Sequence, residues 1–158
     1  MNHDLPAIIE SISSTMDLND LAAEMLKMPQ AEIVTEHEFC PGPDGINVYR
    51  RAMHVKANTL VLGFAHRQAC FNILLEGTAL IWVKGETKQI SAPYIFQTEE
   101  GVQKIGLFLT DSTWINFHAT KTSTIEDVEA EIFIPCPALD EHKRVIAEMK
   151  QKAIKGDS

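Results

Sequence analysis

The sequence has few cysteines and no long apolar run, and each absence excludes a class of protein. Its three cysteines, Cys40, Cys70 and Cys136, form neither an even disulfide set nor a CxxC zinc pattern, so we expect reduced thiols. No apolar run approaches the roughly 20 residues of a membrane span. The N-terminus lacks the basic start and long apolar stretch of a signal peptide. The sequence therefore predicts a soluble, cytoplasmic protein that does not enter a membrane.

The common signatures of catalysis are absent too. The GxSxG, P-loop, GxGxxG and HExxH motifs do not occur, which removes the usual hydrolase, nucleoside triphosphatase, dinucleotide-binding and zincin interpretations. The acidic run at residues 126–131 lacks the glycine and ligand pattern of an EF-hand, so we interpret it as a solvated face.

Positive charge is scarce. The chain has 14 basic and 22 acidic residues, a formal net charge of −8, and its basic residues are spread along the sequence. This distribution argues against general nucleic-acid binding and against an anionic membrane surface. Specific recognition of a nucleotide stays open.

The 158 residues suit one domain that begins with helices. Apolar residues recur at helical spacing over residues 5–16 and 18–26, with a cap at Asp17 between them and Pro29 after them. This pattern predicts a helical N-terminal extension over residues 1–30.

The middle of the chain changes to strand-like periodicity. Over residues 31–119 short runs of period two alternate with turn residues, which predicts about eight strands in a sandwich or jelly-roll barrel. The predicted barrel domain extends over residues 31–134. Near the end of this region Thr124 predicts a helix cap, and residues 131–134 suggest a returning strand. Residues 135–158 carry an amphipathic helix, packed on the barrel or in a dimer.

Residues 58–77 have the spacing of the first cupin motif. That motif has two histidines one residue apart, then a glutamate and a glycine, and these positions hold Phe64, His66, Cys70 and Gly77 here. The chain therefore resembles the cupin family. In that family the two histidines and the glutamate hold a divalent metal inside the barrel, so the resemblance implies a metal position at which only His66 keeps a standard ligand.

The second cupin motif is altered as well. Three residues past Gly101 the family has a fourth ligand histidine, and this chain has Lys104; Phe108 stands in place of the family's asparagine. From Arg50 to Glu131 the chain more closely resembles small RmlC-like cupin proteins that are often encoded by bacteriophages. The shared sequence segments include FNILLEG (71–77), SAPYIF (91–96), EGVQK (100–104) and DSTW (111–114).

These resemblances imply a fold but no reaction. The fold is mainly β, a single cupin-type jelly-roll β-barrel with N-terminal helices and a C-terminal helix. If the protein is encoded by a phage, its location is the host cytoplasm.

Side-chain alternation places one set of residues inside that barrel. If Phe64 and His66 face inward on one strand, the alternate residues of the neighbouring strands do so as well. The predicted ligand-binding residues are Phe64, His66, Asn72, Lys104, Trp114, Asn116 and His118.

His66, Cys70 and His118 are the predicted metal ligands. Imidazole and thiolate together suit a divalent metal with an open position, and we consider zinc, iron, manganese and nickel. The alternative is that both histidines are hydrogen-bonded wall residues and Cys70 is a buried filler, since free cysteine is among the most buried residue types. No cofactor is required under that interpretation.

Lys104 favours an anionic ligand, because an ammonium directed at a divalent metal is repelled. The plainer alternatives are a solvated rim lysine at this position and a core side chain at Trp114. We expect a cupin-fold protein that binds a small anionic metabolite or nucleotide in the barrel, without the standard metal site.

Two further hypotheses stay open. One is a metal-dependent cupin enzyme that uses His66, Cys70 and His118. The other is a phage structural or host-interaction protein whose partner is a virion or host protein. Under all three hypotheses we expect a homodimer, because self-association hides exposed sheet edges.

Overall fold

The computed structural model of the protein describes residues 5–12 and 17–156. The strands are β1 (Val34–Pro41), β2 (Asn47–Val55), β3 (Thr59–Leu62), β4 (Cys70–Glu76), β5 (Thr78–Val83), β6 (Glu86–Ser91), β7 (Tyr94–Thr98), β8 (Lys104–Phe108) and β9 (Ser112–Thr120). The helices are α1 (Leu5–Ser11), α2 (Leu18–Met25), α3 (Ile125–Ile132) and α4 (Pro137–Gly156). None of these helices is both long enough and apolar enough to cross a membrane.

The strands form two antiparallel sheets with jelly-roll connectivity. The five-stranded sheet has the order β1-β2-β9-β4-β7 and the four-stranded sheet the order β3-β8-β5-β6. Strands β2 to β9 account for the eight strands of a jelly roll, and β1 extends the first sheet by pairing with β2. The predicted fold class, mainly β with helices at both ends, is confirmed, although the prediction of about eight strands misses the ninth.

The chain divides into two compact units. The described part of the first unit is residues 5–12 and 31–134, and that of the second is residues 17–30 and 135–156. The predicted helical extension is thus shared between the units, and Met16 at the end of its first apolar run lies outside the described residues.

Each helix of that extension belongs to a different unit. In the first unit the carbonyl oxygen of Ile12, just after α1, accepts a hydrogen bond of 3.1 Å from Trp82 Nε1. In the second unit α2 has the predicted cap, because the Asp17 carboxylate accepts from the backbone N–H of Asn19 at 2.8 Å. Helix α2 ends at Met25.

An apolar core fills one part of the interior between the two sheets. Trp114 packs edge-on to Phe96 and Phe108, with ring centroids 5.7 Å and 6.1 Å away. Leu74 and Ala79 in the same cluster have no exposed surface. Each fully buried large side chain of this kind stabilises the fold by about 1.5–3 kcal/mol. The predicted site residue Trp114 therefore lies in this apolar cluster.

Helix α3 follows the last strand and covers Tyr49. Its cap is the predicted one, because the Thr124 hydroxyl accepts from the Asp127 N–H at 3.2 Å. Val128 and Ile132, four residues apart, bury one helix face against Tyr49. The predicted returning strand at 131–134 is wrong, since the helix continues through Ile132 and only Phe133 forms a bridge, with His66.

Candidate functional site

Strand register brings polar side chains together at one part of the barrel interior. On β9, His118 lies opposite Tyr49 and Asn116 lies opposite Arg51 of β2. On its other side Asn116 lies opposite Asn72 of β4, and Cys70 of that strand lies opposite Thr98 of β7. We use the name polar cluster for the polar side chains gathered there. Its members are Arg51, His66, Cys70, Asn72, Thr98, Lys104, Asn116 and His118.

Two imidazoles and a thiol form the centre of the polar cluster. His66 Nδ1 is 3.2 Å from Cys70 Sγ, and the His66 and His118 rings meet edge-on with centroids 4.9 Å apart. One potential ligand atom from each of these residues lies within 4.8 Å of the other two, and all three side chains are buried. The structure therefore brings the three predicted metal ligands together.

A chain of hydrogen bonds runs towards the sulfur. Asn116 Nδ2 donates to Asn72 Oδ1 at 2.7 Å, and Asn72 Nδ2 donates to Thr98 Oγ1 at 3.0 Å. Lys104 Nζ donates to the same oxygen at 3.4 Å. A hydroxyl has two lone pairs and one hydrogen, so these two donors occupy its acceptor positions. The same hydroxyl lies 3.5 Å from Cys70 Sγ, a contact in which either atom can be the donor.

Burial makes both imidazoles neutral at physiological pH. The pKa of His66 is lowered to about 3, first by burial and then by the positive charges of Lys104, His118 and Arg51. The pKa of His118 is lowered to about 4 by burial, Lys104 and Arg51. Both lone-pair nitrogens therefore stay available as acceptors or ligands.

Two cationic side chains lie beside these imidazoles. Burial lowers the pKa of Lys104, an effect that the nearby Cys70 partly opposes. Burial also lowers the pKa of Arg51, while Tyr49 and Glu129 raise it. Because both cations act on His66 and on His118, the potential of the cluster is positive.

Aromatic rings border the polar cluster. The Phe133 ring stacks on Phe64 with centroids 4.9 Å apart, and its centroid is 5.4 Å from that of His66. The Arg51 guanidinium also lies over the Phe133 ring, with Arg51 Cζ 5.8 Å from the ring centroid. The prediction that Phe64 and His66 share a strand is wrong, because β3 ends at Leu62 and both residues lie in the connection to β4. A bridge to Phe133 holds His66 in place there.

Two members of the polar cluster, Thr98 and Arg51, were not predicted. Thr98 occurs in the apolar run YIFQT, where a threonine is typical of a strand, and only pairing with β4 reveals its position opposite Cys70. Arg51 follows Arg50, and alternation places one of the two inside without showing which. Tyr49, Met53 and Val55 have the same parity as Arg51 and pack in the interior clusters, and this parity is the signal that identifies Arg51 as the inward one.

Comparisons with known proteins add no function. No protein-family model matches this chain, and no curated protein matches it. Solved structures with a similar arrangement include KdgF from a Halomonas species, with 14% identity, 60% of this chain and 86% of that one covered, and a TM-score of 0.48. An RmlC-like cupin from Shewanella frigidimarina has 16% identity, 59% and 89% coverage, and a TM-score of 0.43. A hydroxypropylphosphonic acid epoxidase from S. wedmorenis has 12% identity, 52% and 55% coverage, and a TM-score of 0.41. Likenesses this distant carry no argument about activity, and the fold stated above rests on the strand order of the chain itself.

Proposed function

We propose that the polar cluster binds a small anionic ligand, a metabolite or a nucleotide, between Lys104 and Arg51. The observation that carries this proposal is the pair of part-buried cations beside two neutral imidazoles. Anions are attracted to such a site, and the uncharged donors around it supply hydrogen bonds.

Lys104 differs from three surface lysines in its partners. Lys27, Lys56 and Lys84 each pair with a carboxylate at the surface. Among the described residues the Lys104 ammonium donates to the uncharged Thr98 hydroxyl and forms no ion pair. Removing an ammonium from water costs several kcal/mol unless a counter-charge offsets it, so an anion bound there would recover part of that free energy.

Arg51 supplies the second contact. Its Nε is buried and has no hydrogen-bond partner among the described residues, while its guanidinium lies over Phe133. The planar fork of a guanidinium matches a carboxylate or phosphate group in geometry. The predicted contacts from His66, His118 and the Asn72 and Asn116 amides, and stacking on Phe64, stay part of this proposal.

Adjacent arginines on β2 provide a matched test. Arg51 faces the polar cluster, whereas Arg50 pairs with Glu36 and Glu38 on the outer face of the sheet. We would measure thermal unfolding at constant ionic strength with phosphate, sulfate, mono- and dicarboxylates and nucleoside monophosphates. A ligand at 100 times its Kd stabilises the folded state by about 2.7 kcal/mol. We expect such stabilisation in the wild type and in Arg50→Met, and its loss in Arg51→Met and Lys104→Met. If no anion of the panel shifts the midpoint, or if Arg51→Met responds like the wild type, the proposal is wrong.

A metal centre at His66, Cys70 and His118 is a second candidate, favoured by the proximity of their ligand atoms. The residues fit such a group. Both imidazoles are neutral, and His118 Nδ1 is buried without a hydrogen-bond partner among the described residues. Two imidazoles and one thiolate suit zinc better than manganese, with iron and nickel between them. When bound, the metal would supply a Lewis acid with an open position, where Lys104 would favour an anionic fourth ligand.

Cobalt reports directly on this second candidate. We would titrate metal-free protein, made without a histidine tag, with Co²⁺ and record the thiolate-to-cobalt absorption band. The band is expected in the wild type and in the control Cys136→Ser, and should be lost in Cys70→Ser. Protein grown with zinc, iron, manganese and nickel that holds less than about one-tenth equivalent of each would contradict a resident metal.

The partner hypotheses stay predictions. The homodimer would be detected by light scattering after size-exclusion chromatography, and a virion or host protein by affinity capture with the intact chain. Phe71 and Ile95 are 57% and 63% exposed on the outer face of the five-stranded sheet, which is a large exposure for side chains of this type.

A further inference from the structure

The outer face of the five-stranded sheet has an apolar half and a charged half. The apolar half consists of Ile95 on β7, Phe71 and Ile73 on β4, and Ile115 and Phe117 on β9. We propose that the apolar half is the contact surface of a homodimer, in which the same face of a second copy packs against it. The proposal concerns the outside of the barrel, so it is independent of any ligand in the polar cluster.

Strand register makes the apolar half one continuous patch. Phe71 lies opposite Phe117, and Ile73 lies between Ile95 and Ile115. Their neighbours along each strand belong to the polar cluster or to the apolar core, so these five side chains point outward. Phe71 and Ile95 are each more than half exposed. Because a sheet face that meets water usually carries polar residues, this patch is typical of a face that another sheet covers.

The chain covers the corresponding face of its other sheet. Ile105 and Leu107 of β8 and Trp82 of β5 point away from the core between the sheets, yet all three are buried. Helix α1 lies against β8, and the carbonyl oxygen of Ile12, just after this helix, accepts from Trp82 Nε1. Helix α1 thus shields the outer face of the four-stranded sheet, whereas the described residues leave much of the apolar half in contact with solvent.

The face is large enough for a specific dimer. Its five strands, spaced by about 4.8 Å, give a width of roughly 24 Å. Strands of five to nine residues have a mean length of about 25 Å, so the flat area is about 600 Å² before the relief of the side chains is counted. A standard protein interface buries about 800 Å² on each partner. One copy of this face can therefore supply most of the area that a stable dimer needs.

The charges at the border favour a second copy over a partner of opposite charge. In the charged half Arg50 pairs with Glu36 and Glu38, and His54 Nε2 lies 3.0 Å from Glu36 Oε1. Because these charges are paired within one copy, no basic or acidic partner is needed to neutralise them. The apolar half itself is uncharged, so two copies meet there without like-charge contacts, although each copy has a formal net charge of −8.

Two-fold symmetry fits this pattern. An isologous dimer uses the same patch on both copies, so the two apolar halves meet and the charged halves lie at the rim. Sheets that pack face to face lie about 10 Å apart, which leaves room for side chains as large as Phe71 to interdigitate. Pairing of sheet edges would give a different contact, because Phe71 lies on β4, an inner strand with a neighbour on each side.

Charged substitutions in the apolar half test the proposal. We would measure molar mass by light scattering after size-exclusion chromatography over a wide range of protein concentration. We expect the wild type to be a dimer, and the dissociation constant to rise at least about a hundredfold in Phe71→Lys and Ile95→Lys, because each lysine would be unpaired in an apolar contact. The matched control is Met149→Lys, since Met149 on α4 is exposed to a similar degree, and this variant should remain a dimer.

Thermal unfolding separates dissociation from misfolding. The Tm of a dimer rises with protein concentration and that of a monomer does not, so the dependence should be present in the wild type and in Met149→Lys and lost in both sheet variants. If a lysine variant does not unfold cooperatively, Phe71→Thr and Ile95→Thr replace it, because threonine suits a strand, and the same weakening of the dimer is expected.

Three outcomes would overturn the proposal. A wild type that is monomeric at every concentration would show that a second copy does not cover this face. A dimer that persists in Phe71→Lys and Ile95→Lys would place the contact at a sheet edge or elsewhere. A dimer that Met149→Lys dissociates would assign the contact to α4.

Discussion

The Thr98 hydroxyl lies 3.5 Å from the sulfur of Cys70 and accepts hydrogen bonds from Asn72 Nδ2 at 3.0 Å and from Lys104 Nζ at 3.4 Å. These contacts join three parts of the polar cluster into one network: the amide pair, the part-buried ammonium and the thiol. A change at Thr98 should therefore affect stability.

Thr98→Val tests the contribution of this network to stability. Valine keeps the shape of the side chain, but it leaves Asn72 Nδ2 with only longer contacts, 3.4 Å to the Cys70 carbonyl oxygen and 3.5 Å to that of Phe96. An unsatisfied buried donor costs about 1–3 kcal/mol, so the free energy of unfolding should fall by that amount. Urea denaturation measures it, with Thr87→Val at an exposed strand position as the control. Equal stabilities of the two variants would contradict the network.

Acid should destabilise the protein through its buried imidazoles. The folded-state pKa of about 4 for His118 lies below its usual 6.5, so between these values the unfolded state binds more protons. The stabilising effect is complete above pH 6.5 and is lost as the pH falls, with a slope of up to about 1.4 kcal/mol per pH unit for each such imidazole. Between pH 6.5 and 5, His118→Gln should reduce this slope relative to the wild type, and an unchanged slope in that variant would contradict the assignment.

Removing the part-buried Lys104 ammonium should stabilise the ligand-free protein. Lys104→Met keeps the length of the side chain but removes a charge that has no carboxylate partner in the described chain. We expect the free energy of unfolding to rise by about 1 kcal/mol without added anion, while Lys121→Met changes it little. A marked loss of stability in Lys104→Met would show instead that the lysine is needed for folding.

Gly77, between β4 and β5, should be less replaceable than Gly101, between β7 and β8. Its φ is +92°, and an added Cβ would lie 2.6 Å from the Asp111 carbonyl oxygen and still closer to the Ser112 hydroxyl. Gly101 has a similar φ of +75° but open space around the added atom. Gly101→Ala should therefore cost about 1–2 kcal/mol from backbone strain, and Gly77→Ala should cost more because a clash is added. Thermal unfolding of the two variants gives the comparison, and equal costs would show that strain alone matters.

Much of the fold could be predicted from local patterns. The alternation over residues 31–119 and the helical spacing at both ends are local patterns, set by residues that are neighbours in sequence. The caps at Asp17 and Thr124 are local as well, because each side chain accepts from a backbone N–H in the first turn of its own helix. The wrong strand prediction at 131–134 has a physical reason. The apolar spacing of the eight-residue helix α3 resembles that of a strand equally well, and Phe133, just after the helix, forms only a single bridge.

The site was predicted only in part, for a related reason. The metal-like triad was found because His66 and Cys70 lie close in sequence and His118 shares their chemistry. The places of Thr98 and Arg51 in the polar cluster depend on which residues lie opposite each other on strands that are distant in the chain. Strand register of that kind is not encoded in any short segment.

Strand β9 places Trp114, Asn116 and His118 at successive inward positions, so one strand passes from the apolar core into the polar cluster. The interior therefore has two tiers with separate tasks. The tier around Trp114 is an apolar core, and the tier around His118 carries the polar and titratable side chains. A substitution near Trp114 should therefore change stability, whereas one near His118 should change both stability and the set of donors that the barrel offers to a ligand.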